Sequence, residues 1–196
     1  TGSNNTALGD RALIVSTGQY NTAVGSDSLY SNTTASNNTA VGYYALQSNT
    51  AANNVALALG YYALQNNTTA SYNTAVGNQA LYTNTTGPAV TAVGASALYA
   101  NTSGGYSVAF GGSALLSSTT GNYNASVGFQ SGYANTTGSS NAFVGYRAGF
   151  SNTTGGANVY LGHDAGYTNL TTSYNIAMGN SALRLNVNQG NIAIGS

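Results

Sequence analysis

Lysine, glutamate, cysteine and tryptophan are all absent from this 196-residue chain, and proline and methionine occur once each. The lack of cysteine removes disulfide staples, thiol catalysis and thiolate metal sites together. Charge is nearly as scarce. Three cations (Arg11, Arg147, Arg184) and three anions (Asp10, Asp27, Asp164) cancel to a net charge of zero. Nucleic acid needs a dense cationic field to displace its counterions, which three scattered arginines do not supply. An anionic bilayer surface asks for the same basic cluster. No apolar run is long enough to cross a membrane as a helix, so neither a nucleic-acid partner nor membrane insertion by this segment is expected.

Catalytic groups are as thin as charge. His163 is the only histidine and adjoins Asp164, where strand alternation sends neighbouring side chains apart. A triad needs nucleophile, base and orienter in mutual reach, and glycoside cleavage needs two carboxylates flanking one bond. Three dispersed aspartates give no such pair, and no His/Asp/Glu cluster has metal-ligand spacing. No enzymatic activity, cofactor or metal is expected, and His163 reads as an exposed turn residue.

What the chain has in abundance is a period. Twelve glycines, from Gly9, Gly25 and Gly42 to Gly179 and Gly195, are spaced 16, 17, 18, seven times 17 and again 16 residues apart. A repeat so short is one supersecondary unit that buries its apolar face only by stacking on copies of itself. Taking each glycine as position 0, the unit reads N-T-A-V-G-x-x-A-L-Y-x-N-T-T-G-x-x. Position −1 is apolar in every copy, and position −3 is mostly β-branched. Leucines recur at +4 (Leu13, Leu29, Leu46, Leu64, Leu81, Leu98, Leu115, Leu183). Spacing by two places −3 and −1 on one face of a short strand. The expectation is an all-β, parallel β-roll or β-solenoid of about 12 coils, each with two short strands joined at the glycine. In that scheme −3, −1 and the leucines face the core. The alanine column at −2 (Ala23, Ala40, Ala75 and their equivalents) points away from it and invites another chain. A single repetitive domain over 1–196, a fragment of a longer fibrous protein, is expected.

Two features test the register. Arg11 and Asp27, and Arg147 and Asp164, occupy one column in adjacent coils, so each pair is expected to face across coils. The leucine column fails at Gly132, Gly149 and Gly166, while position −2 enlarges to Phe143 and Tyr160 in two of these copies. That reads as volume compensation, missing at Gly132, where Ser126 holds the equivalent place. A repacked core between about 126 and 167 is expected in preference to a groove.

Two columns are candidate surfaces. Asparagine recurs at +7, with Asn32, Asn84, Asn101, Asn135, Asn152 and Asn169 heading N-x-[ST] sequons and Asn186 in the same column. These are either glycosylation sites or a ladder of stacked amides. Threonine ranks follow at +8, where adjacent threonines face opposite ways and give no flat ice-binding face. An aromatic column at +5 (Tyr30, Tyr82, Tyr99, Tyr133, Phe150, Tyr167) offers carbohydrate or adhesive contact, or else a seam between chains.

The strings Asn21-Thr22-Ala23-Val24-Gly25, Asn38-Thr39-Ala40-Val41-Gly42 and Asn191-Ile192-Ala193-Ile194-Gly195-Ser196 resemble the head repeats of trimeric autotransporter adhesins. They are also similar to the Asn-Thr-Ala-Val-Gly repeats of phage tail-fibre and tail-spike-like proteins. The resemblance implies a left-handed parallel β-roll, three chains about one axis, and surface attachment. This chain uses a longer coil than the adhesin repeat, with N-T-T-G enlarging one turn. The function expected on this basis is an extracellular structural and adhesive fibre segment on a cell or virion surface. Its partners are expected to be itself and a host-surface glycan or matrix. The alternative is a surface filament, glycosylated at the sequons, built by end-to-end stacking; an ice-binding solenoid stands third.

Overall fold

The computed structural model describes residues 2–50, 55–185 and 188–195. Asn186 and Ser196, named above, lie outside the described residues. The chain is a parallel β-solenoid of about 11 turns, with no helix among the described residues. Each turn contributes one three-residue strand. These are β1 (Thr6–Leu8), β2 (Thr22–Val24), β3 (Thr39–Val41), β4 (Leu57–Leu59), β5 (Thr74–Val76), β6 (Thr91–Val93), β7 (Val108–Phe110), β8 (Ala125–Val127), β9 (Ala142–Val144), β10 (Val159–Leu161), β11 (Ile176–Met178) and β12 (Ile192–Ile194). They form one parallel sheet in chain order. Equivalent repeat positions are paired, as in Thr74↔Thr91, Ala75↔Ala92 and Val76↔Val93. With coils about 4.8 Å apart, the stack is about 50 Å long.

The strands are short because the glycine ends them. Gly77 has φ +137°, and a β-carbon there would lie 2.6 Å from the Gly94 carbonyl oxygen of the next coil. Only a residue without a side chain satisfies both demands. The rest of the coil turns through left-handed residues at +2, +4 and −5, such as Tyr44 (φ 57°), Leu46 (φ 51°) and Asn37 (φ 63°). Each such residue costs about 1–2 kcal/mol in backbone strain. Bonds to the neighbouring coils hold them there: Tyr44 N–H donates to Ser26 O (3.1 Å), Leu46 N–H to Ala63 O (3.0 Å) and Asn37 N–H to Gln19 O (3.0 Å).

This geometry corrects two expectations. The leucine segment is not a second strand, since its leucines sit in left-handed turns that merely stack in register. The faces of the first strand are also inverted. Ala23, Ala40, Ala58, Ala75, Ala92 and Ala109 are fully buried, whereas Val41, Val108, Phe110, Val127 and Val144 are at least 38% exposed. The alternation was read correctly and its phase was not. A coil this narrow has room for one methyl on the strand wall opposite the leucine and the buried alanine at +3 (Ala45, Ala63, Ala80). The branched residues must then face outward.

Where leucine is lost, aromatic rings cross the core. Phe143 and Tyr160 are fully buried and stacked, with centroids 5.5 Å apart. A β-carbon on Gly149 would lie 2.6 Å from Phe143 Cδ1, and one on Gly166 would lie 2.5 Å from Tyr160 Cδ2. The compensation also reaches Gly132: its β-carbon would lie 2.6 Å from Phe143 Cδ2 of the following coil and 2.8 Å from Leu115 Cδ2. Ser126 instead bonds across the core, donating to the Ser131 carbonyl at 2.8 Å.

Candidate functional site

The sequon asparagines line the inside of the coil. Asn32, Asn84, Asn135, Asn152 and Asn169 have no exposed surface, and Asn101 has 1%. At Asn32, Asn84, Asn101 and Asn152 the amide donates one hydrogen to the previous rung and one to its own turn. Asn84 Nδ2 donates to Asn67 Oδ1 (3.2 Å) and to Gly87 O (3.1 Å). Asn101 Nδ2 donates to Asn84 Oδ1 (2.7 Å) and to Gly104 O (2.9 Å). Asn152 Nδ2 repeats the pattern on Asn135 Oδ1 (2.8 Å) and Gly155 O (3.0 Å). On those rungs both amide hydrogens are engaged, and burial of all six side chains leaves no space for a glycan on the folded coil. The ladder breaks at Ser118, whose buried hydroxyl has no partner, and above Asn152, whose Oδ1 is likewise left without one. At that step Asn169 donates to the hydroxyl of Tyr160 instead of to Asn152.

A second ladder, at −4, was not recognised in the sequence. Asn21, Asn38, Asn73, Asn124, Asn141, Asn158 and Asn175 are buried. Asn141 Oδ1 accepts from Asn158 N (3.0 Å) while its Nδ2 donates to Gly155 O (2.9 Å). The signal was the asparagine that opens each N-T-A-V-G string, whose recurrence was visible but whose inward direction depends on the strand phase. The +8 threonines are also tied down. Thr85 Oγ1 donates to Thr102 O (3.0 Å) and Thr119 Oγ1 to Thr136 O (3.1 Å).

The aromatics at +5 are half-buried and stack on one another. Tyr82 and Tyr99 lie 5.1 Å apart with planes 4° from parallel; Tyr133–Phe150 and Phe150–Tyr167 lie 5.0 and 5.1 Å apart. Their ring faces cover each other, leaving edges and hydroxyls outward. Gln47 and Gln65 continue the column as an amide step, at 2.7 Å. Tyr30 carries Arg11 over its ring at 5.3 Å. On the glycine corner Tyr43, Tyr44, Tyr61 and Tyr62 form a cluster, with Tyr61–Tyr62 centroids 4.1 Å apart. Hydrogen bonding with Tyr61, followed by desolvation, pushes the Tyr62 phenol up to about 12. Burial pushes Tyr160 up to about 12 against the opposing bonds from Asn169 and Asn175.

Of the two expected charge pairs, one forms. Arg11 Nη2 lies 2.8 Å from Asp27 Oδ1. Arg147 instead donates to the Tyr167 hydroxyl, with its guanidinium 4.5 Å from that ring and 4.8 Å from Phe150. Asp164 lies 3.6 Å from His163 Nδ1. The two side chains converge because a left-handed turn, not a strand, carries them. His163 is 55% exposed and stacks on Tyr146 at 4.9 Å. No group of three or more His, Cys, Asp or Glu capable of holding a metal occurs among the described residues.

The outward side of the sheet remains. Positions −3 and −1 form two parallel ranks without a charged residue. From β2 to β6 they are mostly threonine beside valine; from β7 to β12 both ranks are aliphatic or aromatic, with Val108, Phe110, Val127, Val144 and Met178 exposed. The face they make is about 10 Å wide, the length of a three-residue strand, and turn residues at −5 and +1 flank it. No family model, no curated protein and no solved structure matches this chain.

Proposed function

We propose that the chain is a segment of an extracellular structural and adhesive fibre, a left-handed coil assembled as a parallel homotrimer on a cell or virion surface. It provides reach, rigidity and multivalent contact without catalysis. The observation that carries this reading is the outward sheet face. A monomer rarely exposes a contiguous apolar patch above a few hundred Å². Here the ranks, about 50 Å long over three-residue strands about 10 Å wide, offer on the order of 500 Å² unbroken by charge, at the upper end of what a monomer exposes. Its uncharged, regularly spaced rows suit a second copy in the same register. Association buries −3 and −1, the ranks that the coil itself leaves outside, and the role first expected of the alanine strip passes to them.

The test is sedimentation of the purified chain and of a Val127→Glu variant. The reading expects a species of three chain masses that Val127→Glu reduces to monomer, because a charge without a partner is costly to bury. A monomer at all concentrations for both proteins overturns it. A ladder of growing lengths favours the end-to-end filament.

A further inference from the structure

We propose that Tyr82 and Tyr99 are a site of oxidative cross-linking, joined by a dityrosine bond that staples one coil to the next. The co-reactant is a peroxide, acting through a one-electron oxidant of the haem-peroxidase class. The two residues occupy position +5 in adjacent coils, 17 residues apart, on the turn beyond the leucine and off the sheet face that association covers. Their rings lie 5.1 Å apart with planes 4° from parallel, and the shared column sets like ring edges side by side. Both are half-buried, which holds the stack and leaves an edge open to solvent.

Three features select this pair. First, phenols are the main source of easily removed electrons. The sixteen tyrosines are accompanied by no cysteine, no tryptophan and one methionine, so an oxidising hole finds no thiol or indole and a single thioether. Second, Tyr82 and Tyr99 end a run of phenols in contact. Tyr43 and Tyr44 lie 4.3 Å apart, Tyr44 and Tyr62 5.4 Å, Tyr61 and Tyr62 4.1 Å, and Tyr62 and Tyr82 5.9 Å. A hole formed anywhere on the run has short ring-to-ring steps to Tyr82–Tyr99, its closest parallel pair. Third, the next stack in the same column has no second phenol at its centre, because Phe150 separates Tyr133 from Tyr167. Tyr106 and Tyr123 repeat the phenol stack at 5.3 Å, but on the turn that flanks the associating face, so Tyr82–Tyr99 carries the assignment.

In the reaction each phenol gives up one electron and its hydroxyl proton, and hydrogen peroxide takes up both electrons and both protons to become two waters. The two phenoxyl radicals join through a Cε–Cε bond, and the hydrogen displaced from each ring moves to its oxygen, restoring two phenols. Stacking makes the coupling intramolecular, with a high effective concentration of one ring at the other. The bond closes a loop in the unfolded chain, as a disulfide does where cysteine is present.

Peroxidase with hydrogen peroxide, applied to the full chain, tests the assignment through peptic mapping of the monomer-mass band from a denaturing gel, which excludes links between chains. The expected result is dityrosine fluorescence in that band and a Tyr82–Tyr99 peptide pair lighter by two hydrogens. Its yield should be at least about ten-fold above any link made by Tyr20, Tyr72 or Tyr174, which are 58%, 67% and 69% exposed and make no ring contact. Tyr99→Phe keeps the ring and should remove that link. Phe150→Tyr should create a new one, to Tyr133 or Tyr167, whose rings already stack on it. Both substitutions conserve the aromatic ring, and circular dichroism matching the parent chain separates a lost site from a lost fold. Absence of dityrosine from the monomer band, links distributed by exposure over Tyr20, Tyr72 and Tyr174, or no new link in the Phe150→Tyr chain overturns the assignment. Each of these results leaves the sedimentation test of the fibre untouched.

Discussion

Replacing Phe143 by alanine moves β9 towards the consensus of the repeat, yet it should be among the most damaging single changes in the chain. Alanine is what Ala75, Ala92, Ala109 and Ala177 supply at that position, but those coils also carry leucine or another occupant opposite. At β9 the opposing slots in two adjacent coils are Gly132 and Gly149, and one buried ring fills both. Removing it opens a cavity spanning two coils, at a cost of about 3–5 kcal/mol. Gly149→Leu alone should also destabilise, since its β-carbon would lie 2.6 Å from Phe143 Cδ1, and overpacking costs about 1–3 kcal/mol. Together the two changes should recover much of the loss. Gly149 has φ 62°, a conformation that leucine adopts at the same position in eight other coils, from Leu13 (φ 52°) to Leu183 (φ 48°). The double-mutant cycle should therefore show a coupling of at least about 2 kcal/mol in the favourable direction. The assay is native-state hydrogen exchange resolved by coil, because solenoid stability is a sum of local and nearest-neighbour terms and a global melt blurs them. Protection should fall around β8 to β10 and stay at parent values around β3. Additive effects of the two substitutions would refute the argument that ring and leucine compete for one volume.

Other expectations follow from the same contacts. Asn84→Ala removes two donated bonds, to Asn67 Oδ1 and Gly87 O, which Asn73 Nδ2 still reaches, and strips the buried Asn101 amide of its acceptor; it should cost about 1–3 kcal/mol by denaturant titration, while Asn180→Ala, on an exposed corner, should be neutral. Gly77→Ala should yield insoluble protein or lose the transition entirely, given φ +137° and the Gly94 carbonyl 2.6 Å from the new carbon. On alkaline titration, Tyr62 and Tyr160 should ionise above the ordinary phenol range. Their pKa values are raised in the folded chain, to about 12 for each. The neutral forms therefore favour folding below the unfolded phenol value of about 10, and that contribution fades as pH rises from there through about 12. Near-ultraviolet phenolate absorbance should show a late phase beyond the ordinary phenol range, with loss of protection as buried Tyr160 ionises, and ionisation of all sixteen tyrosines at the ordinary value would contradict the packing of Tyr160.

Much of the architecture was legible because it is periodic. The glycine spacing alone set the coil, the strand positions and the register, and Arg11 with Asp27 marked that register chemically. The replacement of leucine by Gly149 and Gly166 correctly pointed to Phe143 and Tyr160. The phase of the strand was not legible. Period-two alternation says that Ala75 and Val76 face opposite ways, but which faces inward depends on the width of the coil, and that is set by turns built from left-handed leucines. Leu46 or Leu81 at positive φ is a choice that propensity argues against and only stacked backbone bonds enforce. The mistaken phase hid the inward ladder of Asn73 and Asn141 and assigned the self-association surface to the wrong column.

The account depends most on alanine lying inside the coil and threonine and valine outside it. Single-cysteine variants at Thr74, Ala75 and Val76, in a chain with no other thiol, test this directly through the rate of labelling by a small maleimide in the monomeric Val127→Glu background. Thr74→Cys and Val76→Cys should react freely, and Ala75→Cys should be protected to the level of global or local unfolding. Rapid labelling of Ala75→Cys with protection at its two neighbours would contradict the packing on which every surface described here depends.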